Sequence, residues 1–353
     1  MFKAKEIIEK LVSVMSVSGH EERGTDTLLS FYKEPFDEYI HHSSGTHIFV
    51  KKCGKENAPR IMIDTHFDEI GMIVTGILEG GFLSVAPVGG LDRRILPASE
   101  VKIYGKETIY GVIASTPPHL QAAGDWKKTK PVSEIRIDTG YDKEELEKIV
   151  DIGTPIGFYE GVCDLGERRI ASRSLDNKAC CAAAYLAAAS LSAEKMEADL
   201  YVTLSAREEA TMADGASSSA YMIRPDLCIV CDVTFATAPG VKADESGKFG
   251  GGPVISLSAV TDRPFTDSII AICKDKEIPY GITVDATDTG TNATMVSLVG
   301  DGIATAVVSI PIGSMHTYNE TVELSDVEST AKLFSLVLCD KEIFSEKGEM
   351  RYV

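Results

Sequence analysis

The sequence predicts an α/β protein: a mostly parallel sheet flanked by helices, with a small β-barrel inserted into it. Three observations carry this expectation. Downstream of Asp176, helical and strand patterns alternate, which implies parallel strands covered by helices. Between residues 68 and 162 the pattern changes to short β-type segments broken by Gly and Pro, as in a small barrel or sandwich. Finally, polar residues of related chemistry fall at strand ends on both sides of that block: His66 before it, Glu208, Glu209, Asp232 and His316 after it. Functional groups of open α/β sheets gather beyond strand carboxyl ends. One site therefore draws on both sides, and the block reads as an insertion. The expected division is residues 1–67 plus 163–353 as one domain, with 68–162 inserted.

In chain order, residues 3–32 read as two helices separated by Ser16-Val17-Ser18-Gly19, and residues 39–66 as two strands. The inserted block holds segments such as Gly71-Met72-Ile73-Val74, Gly81-Phe82-Leu83-Ser84-Val85, Val101-Lys102-Ile103-Tyr104 and Gly111-Val112-Ile113-Ala114. Helix 178–193 then precedes strand 200–206, and helix 214–221 precedes strand 227–232. Strand 254–259 is followed by helix 263–277, and strand 304–310 by a last helix at 325–337. No internal repeat, low-complexity tract or linker interrupts this order.

At 353 residues the chain is long enough for a full core. Its net charge of -18 argues against nucleic-acid backbones and anionic membranes as partners. The N-terminus reads as the start of an amphipathic helix, without the apolar core of a signal peptide. The uncharged run 179–193 is shorter than the roughly 20 residues a membrane span needs. Eight cysteines lie scattered without a framework. Cys228 and Cys231 sit three apart in a strand pattern, so they face opposite sides and read as small buried hydrophobes. A reducing, cytoplasmic setting is expected.

Two carboxylates in succession, Glu208-Glu209, after the apolar run 200–204 are costly unless a metal or a reaction uses them. With His66, Asp176, Asp232 and His316 they form a set of hard and borderline ligands. Two close divalent ions need a bridging carboxylate, and short, stiff Asp176 at a helix start suits that role. Neutral His66 and His316 would each ligate one ion, and Asp232 and Glu209 would complete the two spheres. Mixed N and O donors suit Zn²⁺, Co²⁺ or Mn²⁺. Glu208 is then free to act as general base. Asp68, two residues past His66, is placed to accept its other ring N–H.

His66-Phe67-Asp68-Glu69-Ile70-Gly71, Ser174-Leu175-Asp176-Asn177, Glu208-Glu209, Asp232-Val233-Thr234 and Ile310-Pro311 with His316 resemble the tetrahedral (TET-type) aminopeptidases. That family includes glutamyl and deblocking aminopeptidases, and some members are labelled endoglucanases. The resemblance spans nearly the whole chain, including Pro117-Pro118-His119 in the insert. It implies a zinc-peptidase-like catalytic domain and two divalent ions per chain. His66, Asp176 and Asp232 would hold one ion, and Asp176, Glu209 and His316 the other. Glu208 would be the base and Asp68 would orient His66. It further implies a metal-bridging water as nucleophile, short peptides with a free N-terminus as substrates, and dimers assembling into a dodecameric shell. Four stretches depart from the family: Gly313-Ser314-Met315 before His316, Asp285-Ala286-Thr287-Asp288, Ala210-Thr211 after Glu209, and Lys178 in place of Arg.

Each residue also has a plain structural reading. Asp176 could cap a helix, Glu208-Glu209 could be a solvated turn, and Asp232 could open an Asx-turn. Thr287, Asp288 and Gly290 read either as substrate-pocket lining or as an ordinary turn. His41, His42 and His47 read as hairpin surface, Gly250-Gly251-Gly252-Pro253 as a turn, and Asp92-Arg93-Arg94 as a solvated loop or a contact to a neighbouring subunit's site. Competing functions are a related amidohydrolase or deacylase, a glucanase, and a non-catalytic metal-binding shell protein. The glucanase reading is disfavoured because adjacent carboxylates cannot flank a sugar bond and because the single Trp126 offers little stacking.

Overall fold

In a computed structural model, the structure describes residues 3–122, 124, 128–159, 161–210 and 213–345. Trp126 and Thr211 lie outside them. The chain opens with α1 (Lys3–Ser13) and α2 (Thr25–Tyr32), then β1 (Glu38–His41), β2 (His47–Lys51) and β3 (Arg60–His66). The following block holds β4 (Gly71–Ile77), β5 (Phe82–Val88), β6 (Glu100–Tyr104), β7 (Thr108–Ile113), β8 (Arg136–Asp138), α3 (Lys143–Ile149) and β9 (Pro155–Phe158). Next come β10 (Cys163–Leu165), β11 (Arg169–Ser172), α4 (Leu175–Ser190), β12 (Asp199–Ser205), α5 (Asp214–Ile223), β13 (Leu227–Phe235) and β14 (Val254–Ser258). Last are α6 (Arg263–Asp275), β15 (Gly281–Asp285), α7 (Ala293–Ser297), β16 (Ala304–Gly313), β17 (Glu320–Glu323), α8 (Leu324–Leu338) and α9 (Lys341–Ser345).

Eleven strands form one sheet. Its centre, β12–β3–β13–β16, is parallel. Its flanks are antiparallel: β1–β2–β12 on one side, β16–β17–β11–β10 on the other. The parallel pair β14–β15 joins β16 antiparallel. Alternating side chains feed two cores, as the two-residue period of a strand requires. Phe49, Ile61 and Ile63 face one core with α1, α4, α6 and α8; Ile48, Val50 and Met62 face the other with α5 and α7. Cys231 lies in the first core and Cys228 in the second, so this C-x-x-C straddles the sheet.

The segment from Gly71 to Phe158 closes on itself as a six-stranded barrel, β4–β5–β8–β7–β6–β9, with its own core around Met72, Leu83, Val101, Ile103, Ile137 and Ile156. Closure leaves no open edge. Gly81 sits at φ +73°, and a Cβ there would lie 1.8 Å from the Tyr141 carbonyl oxygen. Only glycine allows this approach.

Three local expectations need correction. Residues 39–66 make three strands, because the turn at Gly45 (φ +95°) folds the first part into the β1–β2 hairpin before the chain reaches β3. His47 is not hairpin surface: it is fully buried, with the Tyr39 hydroxyl 2.9 Å from Nδ1 and the Phe67 ring edge-on to it. Asp232 does not end its strand, since β13 pairs on with β16 to Phe235. Among the described residues no helix is long and apolar enough to cross a membrane.

Candidate metal centre

The parallel centre of the sheet places the site. His66 is the last residue of β3 and pairs in register with Ser205, the last of β12. Three residues on, Glu208-Glu209 turn back over that end, after Arg207 at φ +63°. Asp232 reaches the same level from β13. Asp176 lies in the first turn of α4, where its backbone (φ -79°, ψ 100°) is not yet helical. His316 comes from the β16–β17 hairpin at φ +60°.

These residues converge. One ligand atom each from His66, Asp176 and Glu209 lies within 4.8 Å of the others. His66 Nε2 is 2.9 Å from Asp176 Oδ1 and 3.5 Å from Asp232 Oδ1. His316 Nε2 is 3.4 Å from Asp176 Oδ2 and 3.6 Å from Glu209 Oε1. Asp176 thus directs one oxygen to each imidazole. Asp176, Asp232 and His66 are buried, while His316 is the exposed member, its side chain 39% accessible.

The surroundings fix the backbones of these residues. His66 Nδ1 meets the main-chain oxygen of Asp68 at 3.1 Å, while the Asp68 carboxylate stands 3.6 Å away. That carboxylate also accepts the Glu208 and Glu209 N–H groups, one on each oxygen at 3.0 Å. Glu320, which sequence reasoning missed, accepts the Asp176 N–H at 2.9 Å and the His316 N–H at 2.7 Å. Glu69, quoted in the His66 motif without a role, contacts Arg173 and Ser174 ahead of Asp176 and accepts the Ser16 N–H. The only sequence signal for Glu320 was an acidic residue entering a short strand.

Charge is unbalanced here. Burial pushes the Glu209 carboxyl up to about 10, with Asp176 the leading charge beside it. Burial likewise pushes Glu208 up to about 8, and Asp232, Asp68 and Asp176 add to this against His66. Burial also raises Asp232. Burial alone would lower His66, but Asp232, Asp176 and Asp68 hold it well above its usual value. Burial opposes ionisation of Asp176, yet His316 and His66 keep it below the carboxylate range. Among the described residues no Lys or Arg ion pair reaches Asp176, Asp232 or Glu209. Crowded, buried carboxylates beside two imidazoles are a donor set that a divalent cation fits and neutralises.

Thr287, Asp288 and Gly290 are not drawn into this cluster. They lie on an exposed turn where Asp288 Oδ1 accepts the Gly290 N–H at 3.1 Å and the Thr294 hydroxyl at 2.7 Å. Asp92 and Arg94 pair with each other on an exposed loop.

A buried imidazole–carboxylate cluster above the parallel centre of a mixed sheet suits a metal-dependent hydrolase. Residues 45–333 match the family model for M42 glutamyl aminopeptidase. The chain is 33% identical over 338 residues to the lysyl aminopeptidase of Pyrococcus furiosus, covering 94% of this chain and 96% of that one. The structure of aminopeptidase APDkam598 from the archaeon Desulfurococcus kamchatkensis superposes with a TM-score of 0.89 at 29% identity, over 99% of both chains. The TET1 peptidase of Pyrococcus horikoshii, which can assemble into a tetrahedron or a large octahedral shell, gives 0.84 at 28% identity, over 95% of this chain and 99% of that one. The chain belongs to the M42 glutamyl aminopeptidase family, and it is a metalloaminopeptidase.

Proposed function

We propose that the chain removes N-terminal residues from short peptides with a free α-amine, using two divalent ions. The observation that carries this reading is the division of the Asp176 carboxylate, Oδ1 toward His66 and Oδ2 toward His316. His66, Asp176 and Asp232 would hold one ion, and Asp176, Glu209 and His316 the other, as Zn²⁺, Co²⁺ or Mn²⁺. When bound, the ions supply Lewis acidity to the scissile carbonyl and to the water that attacks it. Glu208 takes a proton from that water on its carboxylate and delivers it to the departing amine. Asp68 would orient His66, and its carboxylate also holds the turn that carries Glu208 and Glu209. Thr287, Asp288 and Gly290 would line the substrate pocket from an exposed turn, which the Asp288 carboxylate braces through the Gly290 N–H and the Thr294 hydroxyl.

On this reading residues 1–67 plus 163–353 form the catalytic domain and 68–162 the insert. The eight cysteines are free, which supports a cytoplasmic setting. The shell-forming relative supports a homo-oligomeric shell, and dimers assembling into a dodecamer are its proposed form. The test is turnover of aminoacyl-anilides and short peptides by chelator-stripped protein, with and without each ion. Metal-dependent release of single N-terminal residues is expected. Cleavage of N-acylated substrates alone would favour a deacylase, and silence despite two bound ions a non-catalytic shell protein.

A further inference from the structure

Glu320 opens β17 opposite Ser172 of β11, directly after the hairpin that carries His316. Within that hairpin Ser314 (φ +57°) and His316 (φ +60°) both adopt left-handed backbone. Non-glycine residues rarely do so, and they persist only where their surroundings hold them. At His316 the holding group is the Glu320 side chain. It is 2% exposed and uses both oxygens on main chain, Oε1 for the His316 N–H and Oε2 for the Asp176 N–H. Those two N–H groups belong to residues whose side chains also face each other, Nε2 to Oδ2, at 3.4 Å. A buried carboxylate is costly unless its hydrogen bonds are made. This one makes them only while the α4 turn and the β16–β17 hairpin stay in register.

We propose that Glu320 is a positioning residue that fixes the separation of His316 from Asp176 and thereby creates the second metal position. The proposal rests on the dinuclear reading above. The first position depends on it less, because His66 ends a central strand and its ring is held by the Asp68 main chain.

Glu320→Gln is nearly isosteric but presents one oxygen and one amide NH₂, so one of the two N–H groups meets a donor. Glu320→Asp keeps the carboxyl group and withdraws it by one methylene. Stripped parent, both variants, His316→Ala and the His316→Ala/Glu320→Gln double variant are titrated with Zn²⁺ by calorimetry, and bound ions are counted by elemental analysis. The parent should bind two ions. Each Glu320 variant should keep the first at parental affinity and weaken the second about 10- to 100-fold, the usual scale for groups that support a metal ligand. His316→Ala should bind one ion, and adding Glu320→Gln should change nothing further. A residue that merely stabilised the fold would weaken both ions together. Parental affinity for both ions in the Glu320 variants, or weakening of the remaining ion in the His316→Ala background, overturns the proposal. A parent that binds fewer than two ions overturns the dinuclear reading itself, and the proposal with it.

Discussion

At the residue scale, Glu208 and Glu209 are neighbours with different work. Glu209 Oε1 faces His316 at 3.6 Å, and on the proposed reading Glu208 is the residue that moves protons. Glu208→Gln keeps shape and removes basicity. It should retain both ions and lose about 100- to 10,000-fold in kcat; a variant as active as the parent removes Glu208 from the mechanism. Asp68 acts on this pair through their main chain. Asp68→Asn leaves one good acceptor for two N–H groups. It should lower kcat more than it lowers metal affinity, which steady-state kinetics and Zn²⁺ titration together would separate. Equal loss in both would place Asp68 on the metal side, through His66.

At the scale of elements, the site is built from turns anchored by rigid strands. The turn after β5 brings Gly89 (φ +78°) and Gly90 against it. A Cβ on Gly90 would lie 3.0 Å from His316 Nδ1, and one on Gly89 3.5 Å from the Glu209 Cβ. The barrel therefore bounds the metal site as well as packing beside it. Gly90→Ala should displace the half-exposed His316 ring, weaken metal binding about tenfold and leave the thermal midpoint of the metal-free protein near that of the parent. Unchanged Zn²⁺ affinity would show that the barrel turn has no hold on the site.

At the scale of the whole molecule, the buried acids couple metal, protons and stability. In the metal-free fold Glu208 is raised to about 8 and Glu209 to about 10, from an ordinary 4.5, both first by burial. A raised carboxyl binds its proton more tightly in the folded chain than in the unfolded one. Its contribution is thus complete below the unfolded value and is lost as pH rises through the folded value. The stripped protein should therefore lose thermal stability as pH rises from about 4.5 through about 8 and on toward about 10, and loading with Zn²⁺ should remove that slope because the ion replaces the protons. Thermal melts of stripped and loaded protein across that range decide it. A stripped protein whose midpoint is flat or rises with pH would show that these acids are already ionised.

What the sequence determined by itself was local. Apolar periodicity marked the α/β alternation and the β-rich insert, since burial on one or both faces imposes a repeat on neighbouring residues. Chemical type marked His66, Asp176, Glu208, Glu209, Asp232 and His316, because carboxylates and imidazoles at strand ends are costly without a partner. The short flanking strands β10, β11 and β17 span three or four residues, too few to show a period, so the antiparallel flanks of the sheet could not be read. The burial of His47, the two N–H groups held by Asp68, the approach of Gly90 to His316 and the Glu320 clasp were equally hidden. Each joins segments distant in sequence, and only tertiary packing decides which remote N–H a buried carboxylate will meet.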